Sequence, residues 1–346
     1  LARSGTIRPM IPLYCSFIRR KDMDTVLSCL VTDSVGPGEY TEKFVKNARE
    51  AFGFETAIAV RSPYLALSLA LERLGLPKDS AIGLSPLAPA YQAGLVSGMG
   101  YKPVYIDHDA ETGLLKIETV KAQGCSALIL FEPFGILPDK ALLDEIGIPV
   151  IEDSSQALDA QRDGFRAGAL GNFAIYGLEQ GSPVTSGGGA LLYTANKRDS
   201  SVLKNCAENL SGEMQLTDYN AALGLAQLRN LGKSIERRRE LEAKYRMELA
   251  RTRHRGFDQP GDGRAGLWSF AVILESGMKD AVIHAKRNGI EAAPAFEGSI
   301  VMGQGFPESI CPGARSLAMR CLLFPLHEKI SSKDAGTIAK VLATLP

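Results

Sequence analysis

The sequence predicts an α/β fold, with a mainly parallel sheet of about seven strands in a large domain and a small α+β domain at the C-terminal end. From residue 56 to about residue 195, short apolar runs alternate with helical stretches, as in parallel strands joined by crossover helices. The character then changes to a long helical stretch studded with charge. The length of 346 residues also suits about two domains.

Seven runs in the first region have the features of strands, since each is short, apolar and bounded by turn-forming residues. Helix candidates lie between them near residues 64–75, 90–99, 115–123 and 138–146. Each candidate is amphipathic enough to cover one face of a sheet. The predicted strands, in chain order, lie in TAIAVRS, AIGLSP, KPVYIDHD, CSALILFEPF, IPVIEDSS, NFAIYGLE and GGALLYT.

A single long helix is predicted over residues 217–250, with Thr217 as its N-cap and Asp218 as an acid in its first turn. Such a helix commonly begins against a large domain and extends to carry a second one. The glycines from Gly256 to Gly266 indicate a loop.

The rest of the chain predicts the small domain, with a strand in LWSFAVILE and helices in DAVIHAKRNG and SSKDAGTIAKVLATL. We therefore expect a large domain over residues 1–205, including an N-terminal arm. The interdomain helix and the small domain should occupy residues 206–346.

The charge balance excludes a polyanionic partner. Lys and Arg number 39, as do Asp and Glu, so no net field attracts nucleic acid. No stretch approaches 18 uninterrupted apolar residues, and the N-terminal residues lack an apolar signal core, so we expect no membrane insertion and a cytoplasmic protein.

Several other chemistries lack their sequence signals. The four histidines fall in separate segments and the six cysteines form no C-x-x-C pair, so we expect buried thiols, no disulfide and no metal site. Neither a G-x-G-x-x-G fingerprint that opens a helix nor a G-x-S-x-G elbow occurs. Glu132, Glu152 and Glu179 lie near the carboxyl ends of predicted strands, where they would serve either as an acid/base pair or as ordinary helix caps.

Six segments in the same order along nearly the whole chain resemble the DegT family of sugar aminotransferases. This resemblance implies the type I fold of enzymes that use pyridoxal phosphate (PLP), and a homodimer whose cleft is built across two subunits. The matching strings are GPGEYTEKFVKNAREAFGFETAIAV, YKPVYIDHDAETGLL, IPVIEDSSQALDA, GGGALLYT, NAALGLAQLRNLGKSIERRRELEAKYR and LAMRCLLFPLHEKISSKDAGTIAKVL.

PLP chemistry needs a lysine for an imine and a carboxylate for the pyridine nitrogen. By resemblance, Asp153 matches that carboxylate and Gln156 matches a residue beside the cofactor ring. The position of the lysine is held by Glu179, and no lysine occurs from Ala141 to Asn196. A shift of one or two residues in the alignment therefore cannot restore a covalent anchor.

The phosphate site of the family is also changed. The family's Ser-Gly-Thr turn is matched here by Ser62, Pro63 and Tyr64, and proline has no N–H to donate to a phosphate. Proline is nevertheless well suited to the first turn of the helix itself. If any cofactor binds, Ser62 and Tyr64 are the remaining contacts here, and the cation of Arg61 would partly offset the loss.

Three further positions depart from the family in the same direction. Ala174 replaces a serine that bonds the phosphate, and Ala88 replaces an aromatic residue that stacks on the ring. Glu213 falls near an asparagine that reaches the phosphate across the dimer interface.

The resemblance leaves two functional hypotheses. One is a degenerate homologue without PLP-dependent transamination, which binds a nucleotide sugar or a partner subunit in nucleotide-sugar or surface-glycan biosynthesis. The other is an active aminotransferase or dehydratase that acts on a nucleotide-linked keto sugar with PLP or pyridoxamine phosphate (PMP) held non-covalently, as relatives with histidine for the lysine do. A PLP-independent reaction that uses Glu179 belongs to this second hypothesis.

Overall fold

The computed structural model describes residues 10–33 and 35–346. Within this part of the chain, the strands form three sheets, of seven, four and three strands. The strands are β1 (Thr56–Val60), β2 (Ala81–Leu84), β3 (Lys102–Tyr105), β4 (Ala127–Phe131), β5 (Val150–Asp153), β6 (Gln161–Arg162), β7 (Phe165–Arg166), β8 (Phe173–Gly177), β9 (Ala190–Thr194), β10 (Arg255–Gly256), β11 (Gly263–Arg264), β12 (Phe270–Ile273), β13 (Ala293–Pro294) and β14 (Cys321–Phe324).

The helices of the described residues cover these sheets and link them. Two short 3₁₀ helices, Pro133–Gly135 and Ile300–Met302, complete the set. The α-helices are α1 (Arg20–Val31), α2 (Glu39–Phe52), α3 (Pro63–Arg73), α4 (Tyr91–Gly98), α5 (Thr119–Ala122), α6 (Lys140–Ile146), α7 (Lys197–Glu208), α8 (Asp218–Leu228), α9 (Leu231–Leu249), α10 (Met278–Arg287), α11 (Pro312–Arg320) and α12 (Ser332–Leu342).

The large sheet has the order β1-β9-β8-β5-β4-β2-β3. Its strands pair in parallel except for β9, which runs antiparallel to both β1 and β8. All seven predicted runs supply one strand each to this sheet, so the predicted fold class is confirmed. The four predicted crossover helices are also present as α3 to α6, although α5 has only four residues.

The two faces of the large sheet bury different side chains because neighbouring strand residues point in opposite directions. Ile58, Ile175 and Leu192 contribute to a core with α3, whereas Tyr176 and Tyr193 face the opposite side and pack with Phe44 of α2. Since both faces are covered, the carboxyl ends of the parallel strands provide the edge at which side chains can reach a ligand.

The small sheet has the order β10-β12-β14-β13 and is antiparallel throughout. Residues of α9, α10 and α12 pack into one core with β12 and β14. The predicted strand in LWSFAVILE and the two predicted C-terminal helices are therefore confirmed. The predicted domain boundary after residue 205 falls within α7 and stays a prediction.

The single helix predicted over residues 217–250 is wrong, because the structure divides it into α8 and α9. The break is at Asn230, whose φ of −111° and ψ of 2° are not helical. Its N–H bonds to Gln227 three residues back, as in a tightened last turn, instead of continuing the α-helical pattern. The predicted loop from Gly256 to Gly266 is also partly wrong, since the short strands β10 and β11 occupy parts of it.

Thr217 and Asp218 begin α8 as N-cap and first-turn acid, as predicted, and Asp218 has a further role. Thr217 is the N-cap residue of α8, but its hydroxyl bonds Asn220 instead of a backbone N–H. Asp218 is buried and accepts hydrogen bonds from the N–H groups of Gly38, Tyr40 and Thr41 and from the Thr41 hydroxyl. The first residue of α8 therefore caps the start of α2, some 180 residues earlier.

We predict that Asp218→Ala lowers the free energy of unfolding by at least about 3 kcal/mol, because several buried donors lose their acceptor together. Urea unfolding followed by circular dichroism measures this loss. Ser331→Ala is the control, since Ser331 caps only its own helix and should cost about 1 kcal/mol. Equal losses in the two variants would contradict the proposed role of Asp218.

Glu132 and Glu152 lie together in the interior of the large domain, and both are fully buried. Glu152 accepts hydrogen bonds from the N–H groups of Gly168, Leu170 and Gly171 at 2.7–2.8 Å. Neither oxygen of Glu132 has a described donor. Burial, and then the charge of Glu152, raise the pKa of Glu132 well above its ordinary value. Burial also raises the pKa of Glu152, but the three backbone N–H groups oppose that rise. We infer that Glu132 holds its proton to the higher pH of the two, so that Glu152 can bind the 168–171 loop as a carboxylate.

The raised pKa of Glu132 predicts a pH-dependent difference between wild type and Glu132→Gln. Above pH ~4.5 the unfolded state loses this proton while the folded state keeps it, so the wild type loses stability that the neutral amide does not lose. Urea unfolding at each pH gives the free energy of unfolding of Glu132→Gln relative to wild type. This difference should grow in favour of the variant by up to about 1.4 kcal/mol per pH unit between pH 5 and 7. Glu118→Gln, at an exposed position, should show no such trend, and a pH-independent difference for Glu132→Gln would refute the assignment.

Candidate functional site

The candidate site lies at the carboxyl edge of the large sheet, beginning where β1 leads into α3. The Ser62 hydroxyl accepts a hydrogen bond from the Leu65 N–H at 3.2 Å, and Pro63 is the first residue of the helix. Tyr64 follows and is half exposed. The sequence therefore makes a well-capped helix here, but the Leu65 N–H is already paired with the cap and the N–H of residue 63 is missing.

Asp153 ends β5 and forms the floor of the site, with only 2% of its surface exposed. Gln92 Nε2 donates to one carboxylate oxygen at 2.7 Å. The Ser155 hydroxyl and N–H donate to the other, at 2.6 and 3.2 Å. Burial raises the pKa of Asp153, and these hydrogen bonds oppose that rise. The carboxylate is thus satisfied by neutral donors of the protein itself.

Glu179 follows β8, and its carboxylate turns back toward Ser155. A Cβ placed on Gly177 would stand 2.7 Å from Glu179 Oε2 and 3.3 Å from Ser155 Oγ, so both oxygens border the same small space. Glu179 is exposed to solvent. Even so, the surrounding walls remove part of its hydration and raise the pKa of Glu179, and the charge of Asp153 acts in the same direction.

Two tyrosines complete the wall of the site. The rings of Tyr64 and Tyr91 lie with centroids 6.1 Å apart and planes inclined by 46°. Burial, and then the charge of Asp153, raise the pKa of Tyr91, and Glu179 adds a smaller effect. We name the set of Tyr64, Tyr91, Gln92, Asp153, Ser155 and Glu179 the carboxylate cleft.

Gln156, predicted to lie beside a cofactor ring, accepts a hydrogen bond from the Phe134 N–H at 3.2 Å. It thereby supports a buried turn in which Phe134 has a φ of +54°. Ala88 is fully buried, and its carbonyl accepts from the Ile300 N–H at 3.0 Å. Ala174 is fully buried within β8. Neither alanine supplies a polar or aromatic contact.

The segment that includes Glu213 also lies near the start of α3. The Arg61 N–H donates to the Met214 carbonyl at 3.0 Å, so the exposed turn that carries Glu213 borders this end of the cleft. Within one chain, the structure therefore brings Ser62, Tyr64, Asp153 and Glu179 to the carboxyl edge of the large sheet. Glu213 adds a further carboxylate beside this edge.

These residues do not fit a PLP group anchored as in the family. The side chain that faces Asp153 from the end of β8 is a carboxylate, not an amine, and Asp153 is already bonded on both oxygens. Pro63 offers no N–H, and the Leu65 N–H is already donated to the Ser62 hydroxyl. We derive no chemical step through PLP.

Other kinds of site find no support in the part of the chain that the structure describes. No cluster of three or more His, Cys, Asp or Glu residues there is arranged to hold a metal ion. Five of the six cysteines are buried. His108 is buried between Ser85 and Gly113, and burial lowers its pKa to about 4, which identifies it as a neutral core residue. None of the described helices has the length and apolar character that a bilayer crossing requires.

The sequence analysis did not identify Tyr91, Gln92 or Ser155 as part of the site. The available signal was weak: Gln92 is a polar residue in the first turn of a short, otherwise mostly apolar helix, and Ser155 lies two residues beyond Asp153 in a serine-rich turn. Only the parallel pairing of β5 with β4 and β8 brings these residues beside Glu179.

Comparisons with known proteins agree with this architecture. The model of the DegT/DnrJ/EryC1/StrS aminotransferase family matches residues 17–343. GDP-perosamine synthase of Caulobacter vibrioides is 26% identical over 322 residues, which cover 85% of this chain and 86% of the relative.

Two solved structures have the same fold. The aminotransferase TlmJ of Streptoalloteichus hindustanus superposes with a TM-score of 0.86 at 21% identity, over 96% of this chain and 98% of that one. GDP-4-keto-6-deoxy-D-mannose-3-dehydratase of E. coli, with bound hydrated PLP, gives a TM-score of 0.85 at 17% identity, over 97% and 100% of the two chains. The chain belongs to the DegT/DnrJ/EryC1/StrS aminotransferase family.

Proposed function

We propose that this chain is a family member that has lost lysine-anchored transamination and binds a nucleotide sugar in the carboxylate cleft. The observation that carries the proposal is the position of Glu179, which turns a carboxylate toward Ser155 and Asp153 where the family's chemistry needs an amine. By kinship with enzymes such as GDP-perosamine synthase, its setting would be nucleotide-sugar or surface-glycan biosynthesis in the cytoplasm.

The start of α3 supports the proposed loss of lysine-anchored transamination independently of Glu179. A phosphate at a helix N-terminus depends on unpaired backbone N–H groups and hydroxyls. Here Pro63 removes one N–H, and the Leu65 N–H is paired with the Ser62 hydroxyl. The carboxylates of Glu179 and Asp153 would also repel a phosphate nearby.

A second candidate function is an enzyme that holds PLP or PMP without a covalent bond. Asp153, still placed at the end of β5, favours it, and so does the related dehydratase that binds hydrated PLP. A reaction without PLP would instead use Glu179, whose raised pKa brings it nearer to the range of a general acid or base. Saturable binding of PLP in the first experiment below would favour the non-covalent enzyme.

The surface of α1 supports the expected homodimer. Met23, Leu27, Leu30 and Val31 recur along one face of this helix and are exposed, Val31 by 81%. The other side of α1 packs on α8. Because exposed apolar stripes commonly mark protein interfaces, we propose that a second copy of the chain covers this face.

We predict that purified protein shows no saturable change of absorption with PLP or PMP at millimolar concentration. After reduction with borohydride at equimolar PLP it should also gain no stoichiometric adduct at a single lysine, because the cleft has no amine at position 179 and a poor phosphate site. Absorption titration and intact mass spectrometry measure both.

The matched control for this experiment is the triple variant Glu179→Lys, Pro63→Gly and Tyr64→Thr. It supplies an amine at position 179, and a backbone N–H and a small hydroxyl side chain at the start of α3. It should gain a reducible adduct, whereas Glu179→Lys alone should need at least tenfold more PLP. An adduct on a lysine of the wild-type chain would refute the proposed loss.

The dimer proposal predicts that Leu27→Glu combined with Val31→Glu yields monomers, because two charges would be buried at the interface. Light scattering coupled to size exclusion measures the mass. Met247→Glu, at another exposed apolar helix position, should leave the dimer intact. A wild-type protein that is monomeric at micromolar concentration would exclude the interface.

A further inference from the structure

We propose that the large domain has a second binding site, which takes a small aromatic carboxylate and lies apart from the carboxylate cleft. The site is a cavity of about 250 Å³ on the face of the large sheet that carries Tyr176 and Tyr193. It lies between the end of α2, the β6–β7 hairpin and the start of α9. None of the described residues that line it belongs to the carboxylate cleft, so the inference does not depend on the proposed function.

One wall of the cavity is aromatic. The rings of Phe52 and Phe54 lie with centroids 5.4 Å apart and planes inclined by only 15°. Phe52 also meets the ring of Tyr176 at 5.6 Å, and Phe54 stacks on the ring of Tyr193 at 3.5 Å. Both tyrosines are buried, whereas the two phenylalanines are partly exposed. Because aromatic rings attract one another through offset and edge-to-face contacts, this wall favours a ring over an aliphatic chain.

The mouth of the cavity carries more positive than negative charge. The charged residues among its described lining are Arg166 and Arg264, which are exposed, and Asp159. Asp159 is already paired on both carboxylate oxygens, with Arg264 at 2.7 Å and with Arg239 of α9 at 3.0 Å. Arg166 forms no ion pair with a carboxylate of the described residues. An anion is therefore attracted to the mouth, whereas an ammonium group finds no free carboxylate there.

The two arginines of the mouth also converge on one point. With the Gln161 amide turned so that its oxygen faces donors, this oxygen accepts from Arg264 Nη2 at 3.2 Å and from Arg166 Nε at 3.3 Å. A neutral amide holds the two guanidinium groups together without neutralising their charge. Since guanidinium groups bind carboxylates through parallel N–H donors, the mouth suits a carboxylate whose attached ring reaches the aromatic wall.

The size of the cavity limits the ligand. A protein cavity of about 150 Å³ holds benzene. A volume of about 250 Å³ therefore leaves room for one ring with a short side chain that ends in a carboxylate. Pockets for larger ligands commonly begin at about 300 Å³. Phenylacetate has the required ring, chain length and charge, and serves as the probe.

Ligand-observed NMR titration of the full chain with three probes tests the site. Phenylacetate should bind saturably at millimolar concentration. Phenylacetamide, the neutral amide of the same shape, should bind at least about fivefold more weakly, because it lacks the charge that Arg166 attracts. Hexanoate, an acid without a ring, should bind at least about threefold more weakly, because it forms no contacts between rings.

Two variants locate the site. Arg166→Gln, at an exposed position, should lower the affinity for phenylacetate to that for phenylacetamide. Ala51→Phe, at an exposed position of α2 that borders the cavity, should fill the space and abolish the binding of phenylacetate. Arg253→Gln, beyond the far end of α9, is the matched control and should bind phenylacetate as the wild type does. Thermal unfolding of each variant shows whether the fold is kept.

Equal affinities for phenylacetate and phenylacetamide would overturn the preference for an anion. Equal affinities for phenylacetate and hexanoate would overturn the preference for a ring. Absence of saturable binding, or binding that is unchanged in Ala51→Phe, would overturn the site itself. None of these results bears on the carboxylate cleft, so a failure of this inference is distinct from a failure of the proposed function.

Discussion

The carboxylate of Asp153 must be satisfied in the interior, and this requirement organises the site around it. A buried carboxylate without partners costs several kcal/mol, as an order of magnitude. Here neutral groups meet the requirement, since Gln92 and Ser155 donate to its two oxygens. These bonds tie the first turn of α4 and the turn after β5 to the carboxyl edge of the sheet. Glu179 places a second carboxylate near this one, and the charge of Asp153 adds to the rise that burial causes in the pKa of Glu179.

Fold and ligand chemistry depend on different properties of the same residues, so the fold can persist where the contacts to a ligand differ. Pro63 strengthens the first turn of α3 and removes an N–H that a phosphate would need. Ala88 and Ala174 are fully buried, so they satisfy packing without offering contacts to a cofactor. Packing and backbone geometry thus keep the architecture of the family whatever these positions offer to a cofactor.

The sheet could be predicted from the sequence because each of its seven strands is a short apolar run between turn residues. The break between α8 and α9 could not, since Asn230 is compatible with a helix and nothing nearby in the sequence forbids one. The cap that Asp218 supplies to Gly38 and Thr41 could not be predicted from local sequence either, because it joins segments some 180 residues apart. In the site, matching to a family identified Asp153 and Glu179. Gln92 was missed because its role depends on where α4 begins in space.

The electrostatics of the cleft decide which ligand group it can hold. Two unit charges about 4 Å apart interact by about 4 kcal/mol at an effective dielectric constant of about 20. Near Glu179 an energy of this sign opposes a phosphate, whereas a lysine at the same position would attract one. A glutamate also lacks the nucleophilic amine. On our proposal, one residue therefore withholds both the covalent anchor of an aldehyde cofactor and an attraction for its phosphate.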